Sequence, residues 1–99
     1  MKEINILVAG THPEIMATIL RLLNNKGGWQ ATGASTLPEV TKLAKEQRFD
    51  VVLIGAGINE DDTLQINQTF QDIPVVLHYG GGSGLLYAEV YQALNIMPE

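Results

Sequence analysis

The sequence predicts an α/β domain in which a parallel sheet carries helices on its faces. Three features carry that reading. Apolar residues switch repeatedly between strand-like runs and helical spacing, residues 51–54 (VVLI) form an uninterrupted, largely β-branched run, and helix-start tetrads follow two of the strand-like segments. Strands joined through helical crossovers lie parallel, with right-handed connections.

Ile4, Ile6, Leu7, Val8 and Ala9 make the first strand, mostly apolar as in a strand buried on both faces. Residues 11–14 (THPE) have capping-box spacing, with Thr11 and Glu14 as the reciprocal pair and Pro13 tolerated in the first turn. Ile15, Ile19, Leu22 and Leu23 then recur on one helical face, up to a stop at Gly27 and Gly28. Trp29, Ala31 and Gly33 alternate with polar residues, which predicts a half-exposed edge strand. Residues 36–39 (TLPE) repeat the capping box and open a helix over Val40, Leu43 and Ala44 that ends near Arg48. Val51 to Ile54 are the central third strand. A weaker helix over residues 59–70 carries Glu60, Asp61 and Asp62 in its first turn, where acids complement the helix dipole. Residues 73–77 (IPVVL) are a fourth strand with its Pro at the entrance, and a Gly-rich turn leads to a last helix bearing Leu86, Val90 and Leu94. The order is β-α-β-α-β-α-β-α, with no repeat and no linker, so residues 1–99 are expected to form a single domain.

Composition narrows the function classes. The chain is 45% hydrophobic, yet no apolar run approaches the ~20 residues of a membrane span, and the start has no secretory-type apolar region. A cytoplasmic protein with no membrane partner is expected. With no cysteine there is no disulfide scaffold, thiolate metal site or cysteine catalysis. All six basic residues (Lys2, Arg21, Lys26, Lys42, Lys45, Arg48) precede residue 49, whereas Asp50, Glu60, Asp61, Asp62, Asp72, Glu89 and Glu99 follow with no cation among them. A net charge of -5 without a basic cluster argues against nucleic acid as a partner, because that affinity rests on neutralising phosphates.

The stretch ILVAGTHPEIMATILRLL, followed by LPEVTKLAKEQRFDVVLIGAG and IPVVLHYG, resembles the receiver domain of two-component response regulators over nearly the whole chain. The resemblance implies a flavodoxin-like sheet, here of four strands in the order 2-1-3-4. It also implies a phosphotransfer site made of an acid pair after strand one, an Asp ending strand three, a Thr or Ser ending strand four and a Lys ending strand five. In this sequence the acid pair falls on Gly10 and Thr11, the phosphoacceptor on Gly55 and the hydroxyl position on Tyr79, and no Lys follows residue 45. Neither Gly10 nor Thr11 offers a carboxylate to a hard cation. The fifth βα unit has no counterpart after Met97. In a receiver, helices one and five cover one face of the sheet. An uncovered face over strands three and four is therefore expected, together with an open strand-four edge, and both would serve a homodimer or a partner protein.

Other residues admit a sharp and a plain reading. His12 and His78 fall at the C-terminal ends of parallel strands, where a metal or phosphohistidine site is conceivable; the plain alternatives are a polar helix start and a partly buried strand end. Glu60, Asp61 and Asp62 could bind a cation or simply remain solvated. Gly80, Gly81, Gly82, Ser83 and Gly84 could present backbone N–H groups to a phosphate or nucleotide, though without the Lys of a P-loop, or could form a plain turn. Tyr79, Tyr87 and Tyr91 fit an interface patch or the core, and Trp29 a cover on the edge strand. No nucleophile, base and oxyanion donor stand at a credible spacing, so no catalytic residue, metal or cofactor is expected. The expected function is that of a receiver-like signalling module unable to accept a phosphoryl group, acting by association; small-ligand binding at residues 80–84 is the alternative.

Overall fold

The apolar runs form strands and the periodic segments form helices. In the computed structural model, which describes residues 3–55, 57–78 and 83–94 (side chains from 86 in the last stretch), the elements are β1 (Ile4–Ala9), α1 (Pro13–Asn24), β2 (Trp29–Ala34), α2 (Leu37–Glu46), β3 (Val51–Ile54), α3 (Glu60–Thr69), β4 (Val75–Leu77) and α4 (Ser83–Leu94). All strands are parallel in the order β2-β1-β3-β4, the flavodoxin-like arrangement. β1 is central, aligning Ile6 with Ala31 on one side and with Val51 on the other. A reciprocal pair fixes the start of the sheet: the Asn5 N–H donates to Asp50 Oδ2 at 2.8 Å and the Asp50 N–H to the Asn5 carbonyl at 2.7 Å.

Strand alternation sorts the core into two layers. Ile6, Val8, Val51 and Leu53 pack with Met16, Ile19 and Leu23 of α1 and with Leu86 and Val90 of α4. Leu7, Ala9, Val52 and Ile54 pack on the other side with Val40 of α2 and Ile66 of α3. This arrangement corrects the expectation of an uncovered sheet face. Val51 and Leu53 are 0% exposed because α4 lies beside α1, on the face where the resemblance would put a fifth helix. The physical reason is that α4 leads to no further strand among the described residues, so the crossover rule sets no face for it and apolar burial decides. Among the described residues β2 and β4 are the two edge strands, and on the β4 side Leu77 is 42% exposed.

The two capping tetrads behave differently. Thr36 caps α2 as expected, its hydroxyl accepting from the Glu39 N–H at 3.3 Å while Glu39 Oε1 accepts from Ser35 and Thr36. The capping box at Thr11 does not form. Pro13 is the first residue of α1, so the cap position falls on His12, which makes no side-chain capping bond. α2 ends at Glu46 rather than near Arg48, and β4 begins at Val75 rather than at residue 73, although the Pro74 carbonyl still accepts from the Val52 N–H at 3.0 Å. Gly28 takes a left-handed turn (φ 82°) into β2.

Trp29 is buried, and its neighbours place Tyr87 and Tyr91 in packing contact with it, whereas Tyr79 lies outside the described residues. Tyr87 and Tyr91 of α4 meet the indole edge-on, at centroid distances of 5.9 and 5.5 Å. The Tyr87 hydroxyl donates to the Leu22 carbonyl at 2.9 Å, and Lys26 Nζ donates to Tyr91 Oη at 2.7 Å while lying 4.9 Å from the Tyr87 ring centroid. Each aromatic pair contributes about 0.5–1.5 kcal/mol beyond its buried area, and an ammonium over the rings adds roughly 0.5–1 kcal/mol. The cluster therefore ties the last helix to the end of α1 and the start of β2.

Candidate functional site

In a parallel sheet the loops at the C-terminal strand ends converge, and that edge is where ligands of open α/β sheets bind. Here it is built from the loop after β1 (Gly10, Thr11, His12), the loop after β3 (Gly55, Gly57) and His78 after β4. The Gly10 N–H donates to the Ala34 carbonyl at 3.0 Å, the Gly55 N–H to the Ala9 carbonyl at 2.7 Å and the His78 N–H to the Ile54 carbonyl at 2.8 Å. Each loop thus leaves its strand by one extra ladder-like bond, and the four strand ends are held together.

Thr11 and Gly57 interlock. Gly57 adopts φ +93°, and a Cβ built there would run into the Thr11 side chain, 3.0 Å from Thr11 Cβ. The loops after β1 and β3 are therefore in direct contact where the resemblance places an acid pair and its cation. At Gly55 the space is different: a Cβ would meet only the Ala9 carbonyl oxygen, at 3.4 Å, an ordinary contact. Among the described residues position 55 thus has room for a Cβ, and the sequence supplies none.

The two histidines sit in unlike surroundings. His12 is exposed at the start of α1, its carbonyl accepting from the Met16 N–H at 2.9 Å. His78 is buried, and its Nδ1 pairs with Glu89 Oε1 of α4. A buried imidazole beside a partly buried carboxylate is tolerable because each satisfies the other. Sequence reasoning placed Glu89 only among the acids after residue 49 and missed this pairing; the available signal was a lone acid in the apolar helix segment YAEVYQAL, eleven positions after a histidine at a strand end.

Glu60, Asp61 and Asp62 occupy the first turn of α3, whose N-cap Asn59 accepts from the Asp62 N–H at 2.8 Å. Among the described residues no three His, Asp or Glu side chains are grouped to hold a metal ion. Tyr79, Gly80, Gly81 and Gly82 lie outside the described residues; Ser83 and Gly84 are the first two residues of α4. Among the described residues no helix is long and apolar enough to cross a membrane.

In sequence, the chain matches no protein-family model and no curated protein. In structure it is similar to the receiver domain of the hybrid histidine kinase CckA, at a TM-score of 0.73 and 18% identity, covering 91% of this chain and 98% of that one. It is also similar to the signal receiver domain of an HD domain-containing protein from Pseudomonas fluorescens Pf-5, with a TM-score of 0.67, 17% identity and coverage of 97% and 73%. A third similar structure is HP1043, an orphan response regulator of H. pylori, with a TM-score of 0.63, 14% identity and coverage of 92% and 96%. At these identities the likeness shows the fold, a receiver-like α/β sandwich.

Proposed function

We propose that this chain is a receiver-like signalling module that does not take a phosphoryl group by aspartyl chemistry and works instead by associating with protein, a second copy or another chain. The observation that carries the reading is the make-up of the strand tips. Where a receiver holds carboxylates for a cation and a phosphoacceptor, this chain has Gly10, Thr11 and Gly55, and Thr11 is packed against Gly57. A hard cation needs several convergent oxygens and a phosphoryl acceptor needs a nucleophile; glycines provide neither. The structural likeness to receiver domains and a response regulator supports the module class over an enzyme. Among the described residues both sheet faces are covered, and of the two edges we assign association to that of β4, where Leu77 is exposed.

Incubation with acetyl phosphate and Mg²⁺ tests the first half of this reading. Intact mass spectrometry should show no added phosphoryl group, with and without an acid quench. A stoichiometric adduct that alkali or hydroxylamine removes, as expected of an acyl phosphate, would overturn the proposal.

A further inference from the structure

Among the described residues the β4 edge has a definable pattern of outward-facing groups. The Pro74 carbonyl accepts from Val52 and the His78 N–H donates to Ile54, so the even-numbered positions of this strand face β3. By the two-residue period of a strand, Val75 and Leu77 turn their N–H and C=O groups outward. The Leu77 side chain is 42% exposed on the same edge, and this three-residue strand carries neither a lysine nor a bulge.

Charge at the two ends of the edge says what kind of strand would dock there. Asp72, exposed, precedes the strand. α3 runs antiparallel to β3 and β4, so its first-turn acids Glu60, Asp61 and Asp62 lie toward the end where β4 finishes. From residue 49 onward the chain has no Lys or Arg to offset them. A second copy of this chain, carrying -5 and paired antiparallel through β4, would bring its own acids toward these. A strand with basic ends would instead meet opposite charge at both ends of the edge.

We propose, resting on the association reading above, that the β4 edge accepts an extended segment of a partner protein with an apolar centre and Lys or Arg at both ends, adding it to the sheet as a fifth strand beside β4. The outward N–H and C=O groups of Val75 and Leu77 supply the main-chain bonds, Leu77 packs against the apolar centre, and the acids at the two ends select the charge.

A seven-residue peptide of about 23 Å extended length, Lys-Lys-Val-Thr-Val-Lys-Lys with blocked termini, is the probe, and its all-Glu counterpart is the control. Amide hydrogen exchange on the full chain should show new protection at Val75 and Leu77 with the basic peptide and none with the acidic one. Binding should weaken roughly tenfold as salt rises from about 50 to about 300 mM, since the Debye length shortens. Leu77→Pro removes one outward N–H without touching a bond to β3, and should abolish the protection at Val75. Asp72→Lys, which leaves the backbone alone, should weaken binding several-fold and keeps the test valid if the proline variant fails to fold. Equal protection by both peptides, or none at millimolar peptide, would overturn the proposal. So would protection that grows with protein concentration alone, which would assign the edge to a second copy. None of these outcomes depends on phosphoryl transfer, so this proposal and the absence of aspartyl chemistry fail separately.

Discussion

Gly57→Ala tests whether the loops after β1 and β3 are interlocked. The φ of +93° at Gly57 lies in the left-handed region, where an ordinary L-residue loses roughly 1–2 kcal/mol. The new methyl would also overlap the Thr11 side chain, whose Cβ is 3.0 Å away. Overpacking of this kind costs about 1–3 kcal/mol, because a short β-branched side chain has little freedom to withdraw. The sum is about 2–5 kcal/mol, a large part of the roughly 5–15 kcal/mol that holds a domain together. Thr11→Gly removes the obstacle and, at an exposed position, should itself cost less than about 1 kcal/mol. The double variant should therefore regain about 1–3 kcal/mol relative to the sum of the single changes, leaving mainly the backbone strain. Urea denaturation followed by far-UV circular dichroism measures all four corners of the cycle. Additive single effects, or a Gly57→Ala variant within about 0.5 kcal/mol of the parent, would refute the interlock.

Two further predictions address α4. Leu86→Ala should cost about 2–5 kcal/mol, because that side chain is 2% exposed between α4 and the sheet, whereas Leu64→Ala, at a position 59% exposed on α3, should stay within roughly 0.5 kcal/mol in the same denaturation assay. Equal effects would remove α4 from the α1 face. His78→Ala should cost about 1–3 kcal/mol by leaving the partly buried Glu89 without its partner, and Glu89→Gln, which keeps a hydrogen-bonding side chain, should cost less; the reverse ranking by thermal melting would show that the pair does not hold β4 to α4.

How far the sequence could be read depends on whether a feature is local. β3 was legible to the residue because Val51 to Ile54 are buried on both faces and nothing polar interrupts them. The tetrads at residues 11–14 and 36–39 have the same spacing, yet only the second closes into a cap; the first fails because Pro13 fixes the helix start and the Thr11 side chain is held against Gly57, a contact across more than forty residues. The face chosen by α4 could not be read from periodicity, which reports that a helix has an apolar side and not which layer will cover it. The resemblance pointed to a missing layer, and the chain fills that layer with its own last helix. At the strand tips the residue types at Gly10, Thr11 and Gly55 were plain, but the pairing of His78 with Glu89 and the seating of Lys26 among aromatic rings arise only from tertiary packing.

The contact between Trp29 and the tyrosines of α4 has a practical consequence. The chain contains a single tryptophan, and its indole lies between the start of β2 and the inner side of the last helix. Its emission colour and its quenching by iodide therefore report, without any label, whether that helix is seated. A red shift that precedes loss of the sheet's infrared band would mark a state in which the molecule has opened its final layer and kept the rest.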